Sequence, residues 1–251
     1  MGHPGAAGAG RRVLLVDDVP GERVNFARAF GQGLSYAASV PDLDDLLQSG
    51  RRWDVAFVDF NLSSATSTGL SALLALHLHR PETQIVTYSQ FTESGRTLFA
   101  AAARHWFGAA ALMDKTRNDT ATLLHYVDSL TRALDPTPPA WQRRLQWAPL
   151  IDSLLADASW VRIWWALREA AGDMAQVAEL LHLETGSLRG FKDRATEAAI
   201  TFNERFHDMP HPGRTRNKKG ILSAFAAEHR HFLTAADLST VMSPGSRRRS
   251  S

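Results

Sequence analysis

Among its 251 residues the chain has no cysteine. That absence excludes disulfide staples and thiolate metal sites, so any metal must be bound through nitrogen or oxygen, and it fits a reducing compartment. Long apolar runs are missing too: none reaches the roughly 18 residues that a membrane-spanning helix requires. The Gly/Ala-rich stretch of residues 1–10 lacks the charged start and long apolar core of a signal peptide, and is expected to be a flexible leader. These absences predict a cytoplasmic protein without a membrane partner. A strong charge of one sign is also lacking. With 28 basic against 26 acidic residues the net charge is +2, too small for the total to argue for nucleic acid.

What the chain does have is length and apolar content, 44% hydrophobic residues, enough for two modest cores. Short apolar runs near residues 13, 34, 55, 84 and 110 alternate with helical patterns near 21, 42, 70, 95 and 119. That alternation predicts a doubly wound α/β fold around a five-stranded parallel sheet. Apolar positions Leu123, Val127, Leu130 and Leu134 repeat at helical spacing, and the prolines at 136, 138 and 139 cannot continue such a helix. The expected division is a leader at 1–10, an α/β domain at 11–134, a linker at 135–140, an all-helical domain at 141–242 and a flexible basic tail at 243–251.

Four polar sites follow the apolar runs of the first domain: Asp17 and Asp18, Asp59, Ser89, and Lys115. Side chains just beyond the C-terminal ends of parallel strands converge on the crevice where open α/β sheets bind ligands. Taken singly, an Asp-Asp pair after a strand is an ordinary turn or helix cap, and a strand-end lysine is ordinarily solvated. Taken together the four describe one acidic pocket with a cation beside it. A carboxylate can accept a phosphoryl group as an acyl phosphate, provided that positive charge offsets the anionic donor. Mg2+, a hard cation that takes carboxylate, phosphate and water oxygens, suits Asp17, Asp18 and Asp59. Lys115 supplies a second cation, and Ser89 a hydroxyl donor.

These residues, with separations of 41 from Asp18 to Asp59, 30 from Asp59 to Ser89 and 26 from Ser89 to Lys115, make residues 12–133 resemble the receiver domain of bacterial two-component response regulators. The resemblance implies a flavodoxin-like fold in which Asp59 is the phospho-acceptor. It implies Asp18 as a direct Mg2+ ligand with Asp17 beside it, and Asn61 as a ligand through its backbone carbonyl. Ser89 takes the switch hydroxyl position and Lys115 the family's lysine position. It further implies a histidine kinase as partner, and no enzyme activity beyond the domain's own phosphoryl transfer and dephosphorylation. The rim departs from the family pattern. The loop after Asp59 lacks the usual proline and is about two residues longer, Gln90 follows the switch hydroxyl, Leu112 stands where an aromatic is common, and Thr116 replaces proline after the lysine.

The helical half carries a second resemblance. From residue 160 to 206, and most closely over about 35 residues, it is similar to the Fis-type helix-turn-helix that ends many response regulators, matching at Ile163, Ala166 and Leu167, Gly172 and Asp173, Ala178, Leu180 and Leu181, then Ser187, Leu188 and Arg189. The family repeats an apolar residue where this chain has Lys192, with Phe191 beside it. A recognition helix over 185–195 would offer Ser187, Arg189, Lys192 and Arg194 to DNA; the same helices would equally form a protein-binding hairpin with a solvated charged face. The resemblance also implies phosphorylation-dependent homodimerisation through the face containing the helix near 119–134. From residue 140 onward 16 basic residues stand against 12 acidic, and the basic groups cluster at 214–219 and 247–249. A solvated loop and tail explain those clusters as well as phosphate contacts do. Trp160 and Trp164 share a helical face with Leu167 and Ala171, which predicts core, with a dimer interface as the alternative. His207 and His211 have ligand-like spacing, but Pro210 breaks the helix that would align them, so no metal is expected there.

Overall fold

The structure, a computed structural model, describes residues 10–62, 66–91, 95–207 and 217–242. The expected leader, but for Gly10, and the basic tail lie outside the described residues. The chain divides into two compact units, Met1–Thr92 with Ala103–Trp141, and Glu93–Ala102 with Gln142–Ser251.

The first unit is built on strands β1 (Val13–Val16), β2 (Leu34–Ala37), β3 (Val55–Val58), β4 (Gln84–Ser89) and β5 (Ala111–Asp114), all parallel in the order β2-β1-β3-β4-β5. Strands β1 and β3 are buried along their whole length, as unbroken apolar runs in a sheet covered on both faces must be. The connecting helices are α1 (Pro20–Phe30), α2 (Val40–Gln48), α3 (Gly69–His79), α4 (Gly95–Phe107), whose residues up to Ala102 group with the second unit, and α5 (Thr120–Thr131). Their starts carry local signals: Pro20 opens α1, and the side chains of Ser39, Thr68 and Asp119 accept hydrogen bonds from backbone N–H groups one turn on. Because β1 lies between β2 and β3, the winding reverses there, opening a crevice at the C-terminal ends of β1 and β3. Behind it Phe26, Phe57 and Tyr88 meet edge to face at 5.0 to 6.0 Å.

Strand β5 forms an edge whose outward polar groups are covered. Leu112 N–H donates to Thr137 Oγ1 at 2.9 Å, and Tyr126 OH donates to the Leu112 carbonyl at 2.9 Å. Helix α5 stops at Thr131, short of the expected Leu134, which is 56% exposed. Ala133 adopts a left-handed conformation, with the N–H of Leu134 bonded to Ser129 O and that of Ala133 to Leu130 O. This is a Schellman ending formed without glycine, and it turns Leu134 off the apolar stripe.

The second unit is helical, with no strand among the described residues. After α6 (Pro139–Leu145) come α7 (Ile151–Leu154), α8 (Ala158–Glu169), α9 (Met174–Leu181), α10 (Arg189–Phe206), α11 (Lys218–Glu228), α12 (Arg230–Leu233) and α13 (Leu238–Val241). Asp157 caps α8 and Asp173 caps α9. Gly172, at φ +79°, makes the turn between them; a Cβ there would stand 2.8 Å from Ser223 Cβ, so both backbone angle and space require glycine. Trp164 is fully buried, donates to Leu154 O at 2.7 Å, and packs on Phe191 and Phe225. Trp160 joins it in the core, while Ala171 lies past the end of α8 and is exposed. No described helix is long and apolar enough to cross a membrane.

Candidate functional site

The four strand-end sites meet at the crevice. Asp17 and Asp18 follow β1, with Asp17 N–H held by Ala37 O, and Asp59 follows β3, with its N–H held by Val16 O. Each carboxylate is thereby fixed by the ladder beneath it. Asp59 Oδ1 accepts from Ser89 Oγ at 2.6 Å and from the Phe60 N–H at 2.7 Å, while Oδ2 accepts from Lys115 Nζ at 2.7 Å. Lys115 also reaches Asp17 Oδ2 at 2.6 Å, and Asp17 Oδ1 accepts from Val19 N–H at 2.9 Å. Carboxylate oxygens of Asp17, Asp18 and Asp59 all lie within 4.8 Å of one another. Asn61, exposed, stands two residues beyond Asp59.

Burial sets the electrostatics. Asp17 is fully buried, and desolvation lifts its carboxyl to about 6, against the opposing pull of Lys115 and with a further push from Asp59. For Lys115, burial disfavours the ammonium, but the charges and hydrogen bonds of Asp59 and Asp17 outweigh it and hold its pKa above the ordinary value. Three closely spaced carboxylates with a single ammonium among them form a hard-oxygen donor set with excess negative charge. That fits a divalent cation such as Mg2+, with Asp17, Asp18 and Asp59 as the side chains to hold it.

Several residues that shape the pocket carried no signal at the level of sequence. A Cβ on Gly69 would stand 2.0 Å from the Asp59 carbonyl oxygen, and Gly69 N–H donates to Phe60 O at 2.8 Å, so α3 begins pressed against the backbone of Asp59. Tyr88, one residue before Ser89, donates its hydroxyl to Glu22 Oε2, which Asn118 Nδ2 also approaches at 2.8 Å. Burial and the Glu22 bond hold the Tyr88 phenol well above its usual pKa, and Lys115 Nζ lies 5.3 Å above its ring. The only legible hint was the interruption of an apolar strand by Tyr88. At the rim, Gln90 is exposed and Leu112 buried. Thr116 binds Asp114 Oδ1 through both N–H and Oγ1, so a side-chain cap turns the chain where the family uses proline. Residues 63–65 of the lengthened loop lie outside the described residues.

No protein-family model matches the chain. No curated protein matches it either. Solved structures do. A structure of two RcsB dimers bound to two parallel DNAs superposes with a TM-score of 0.51 at 14% identity, covering 87% of this chain and 98% of that one. RcsB from Salmonella enterica serovar Typhimurium, bound to a promoter in the presence of the phosphomimetic BeF3-, gives 0.50 at 12% identity over 86% and 98%. The fold is that of a response regulator. The likeness is one of fold: the first unit has the expected five-stranded parallel sheet, and a helical second unit follows it.

Downstream of the receiver, the candidate DNA-contacting residues are not all on one helix. Residues 185–188 form a 3-10 turn, so α10 starts at Arg189 instead of near Thr185, and Ser187 lies in the turn before it. Leu188, the last residue of that turn, is buried. Arg189 is exposed and Lys192 half-buried. The family's apolar position is filled by Phe191, which packs 4.7 Å from Trp160 and 5.6 Å from Trp164. The stripe Leu188, Phe191, Ala195, Ala198, Ala199, Phe202 and Phe206 thus runs one residue ahead of a strict family alignment. Arg194 lies over the Trp160 ring at 5.3 Å, and Asp193 pairs with Lys218 at 2.8 Å.

Proposed function

We propose that the chain is the response regulator of a two-component system, controlled by phosphorylation of Asp59 and acting on transcription through its helical unit. The observation that carries this reading is the Asp59 carboxylate held between Ser89 Oγ and Lys115 Nζ, with Asp17 and Asp18 alongside. In this reading a carboxylate oxygen of Asp59 attacks the phosphorus of a phosphohistidine on a partner kinase; an O–P bond forms as the N–P bond breaks, and the imidazole leaves. Lys115 and Ser89, now donors to the carboxylate, transfer their contacts to the phosphoryl oxygens. Asp17, Asp18, Asp59 and the Asn61 carbonyl would hold Mg2+, which when bound would supply the charge that lets two anions meet. The same residues serve the hydrolysis that resets the domain, and no external substrate is turned over.

For the output, the fold likeness to RcsB, recorded on DNA and with a phosphate mimic, supports DNA as the partner. Arg189 and Lys192, at the solvent side of the start of α10, are the residues best placed to meet it, with dimers formed through the receiver on phosphorylation. The cytoplasm is the compartment such a kinase partner implies. Exposed Trp165, Leu180 and Leu183, at 42%, 43% and 46%, favour a second reading in which the helical unit binds a protein. Recovery of genomic DNA on the full-length protein, with and without phosphorylation, separates the two. Enrichment of discrete sites that sharpens on phosphorylation supports DNA control, and absence of enrichment in both states leaves protein binding.

A further inference from the structure

Away from the acidic crevice, the helical unit brings together His207, Glu228 and His229, whose ligand atoms all lie within 4.8 Å of one another. We infer that these three side chains form a Zn2+-class metal site joining the C-terminal ends of α10 and α11. This assignment does not rest on the reading of Asp59.

Three features of the unit point the same way. The first is donor chemistry: two imidazoles and one carboxylate suit zinc and neighbouring first-row metals, whereas Mg2+ and Ca2+ require all-oxygen sets. Three protein ligands leave a coordination position for water. The second is field. His207 caps the C-terminus of the 18-residue α10, and His229 caps that of the 11-residue α11. The C-terminus of α10 carries partial negative charge that attracts a cation, while His229 stands at the junction of α11 and α12, capping the end of one and the start of the other. Adjacent arginines are engaged elsewhere, Arg205 over the Trp147 ring at 4.5 Å and Arg230 Nε beside His231 at 3.3 Å.

The third is mechanical. His229 is fully buried and clamped, 4.3 Å from the Phe225 ring and 5.8 Å from that of Phe202, and the His207 ring lies 5.8 Å away. His207 and Glu228 are only partly buried, so solvent reaches the cluster from their side. Ligands on a tetrahedral zinc stand roughly 3.4 Å apart, given bonds of about 2.0 to 2.2 Å. Separations within 4.8 Å accommodate that spacing, and the two less buried side chains can adjust to it about a fixed His229. Thr97 Oγ1 lies 3.4 Å from His207 Nε2, the kind of neighbour that fixes the tautomer of a ligating imidazole. His207 and His211 had ligand-like spacing but no metal was expected of them; His211 lies outside the described residues, and the residues that meet His207 are Glu228 and His229, across the helix pair.

The test uses full-length protein and Co2+ as a visible reporter, in excess Mg2+ to occupy the acidic crevice, followed by displacement with Zn2+. One equivalent of Co2+ should give a d–d absorption band that persists in Asp17→Asn, is lost in His207→Ala, and needs at least tenfold more metal in Glu228→Gln. Circular dichroism checks that each variant is folded, and His207→Gln repeats the measurement if the alanine variant is not. Absence of a band in the wild type, its loss in Asp17→Asn, or its persistence in folded His207 variants would each overturn the assignment.

Discussion

Asp17→Asn should make the protein more stable and disable its metal response at the same time. Burial holds the Asp17 carboxyl at about 6 against 3.8 for the free group, a difference of roughly 2 pH units, and each unit is worth about 1.4 kcal/mol. The folded state therefore binds this proton more tightly than the unfolded chain does. The ionised carboxylate costs nothing near pH 3.8, and its penalty grows to about 3 kcal/mol as pH rises through 6. Asparagine stays neutral, and its Oδ1 can keep the bond from Val19 N–H. Lys115 retains Asp59 as its partner. Urea unfolding in Mg2+-free buffer should thus find Asp17→Asn more stable by about 1 to 3 kcal/mol at pH 8, with the advantage gone near pH 4. Added Mg2+ should stabilise the wild type, by about 2.7 kcal/mol at a hundred times its dissociation constant, and leave the variant nearly unchanged. A variant less stable than wild type by the same amount at every pH would refute the claim that Asp17 is a desolvated carboxylate awaiting a cation.

Gly69→Ala would drive a methyl into the Asp59 carbonyl, so it should lower stability by roughly 1 to 3 kcal/mol and slow phosphoryl uptake together, measured by thermal unfolding and phosphate incorporation. Thr137→Val keeps shape but leaves the Leu112 N–H without its acceptor; a loss of about 1 to 3 kcal/mol in denaturant unfolding is expected, with uptake at Asp59 unchanged. In DNA titrations across salt concentrations, Arg189→Ala should lose about 1 to 3 kcal/mol and relax preference at one base position. Lys192→Ala should weaken binding to all sequences and reduce the salt slope by about one, as loss of a single phosphate contact does.

The α/β unit was legible because its information is one-dimensional. Fully buried parallel strands appear as unbroken apolar runs, and their C-terminal ends mark the site, so Asp17, Asp18, Asp59, Ser89 and Lys115 follow from pattern alone. Features that arise from close approach in space were not legible. Gly69 looks like any loop glycine until α3 is seen against Asp59, and the Glu22, Tyr88 and Asn118 cluster joins residues from three separated segments. Leu134 continued the apolar repeat of α5, yet a left-handed Ala133 ended the helix first. In the helical unit the turn at Gly172 was legible, but the next helix was expected to open near Thr185, whereas a 3-10 turn comes first and α10 starts at Arg189. The aromatic pair Trp160 and Trp164 decides for Phe191 over Lys192 as the buried position. The partner of His207 depends on a helix crossing that no spacing rule contains.

The central claim is that Asp59 is the phosphoryl acceptor, and chemical phosphorylation with peptide mapping tests it most directly. Full-length protein incubated with acetyl phosphate and Mg2+ should gain one acid-stable, hydroxylamine-labile phosphoryl group on the peptide containing Asp59. Labelling should vanish on chelation of Mg2+ and in Asp59→Asn. Label retained in folded Asp59→Asn, or mapped to another residue in the wild type, would contradict the account.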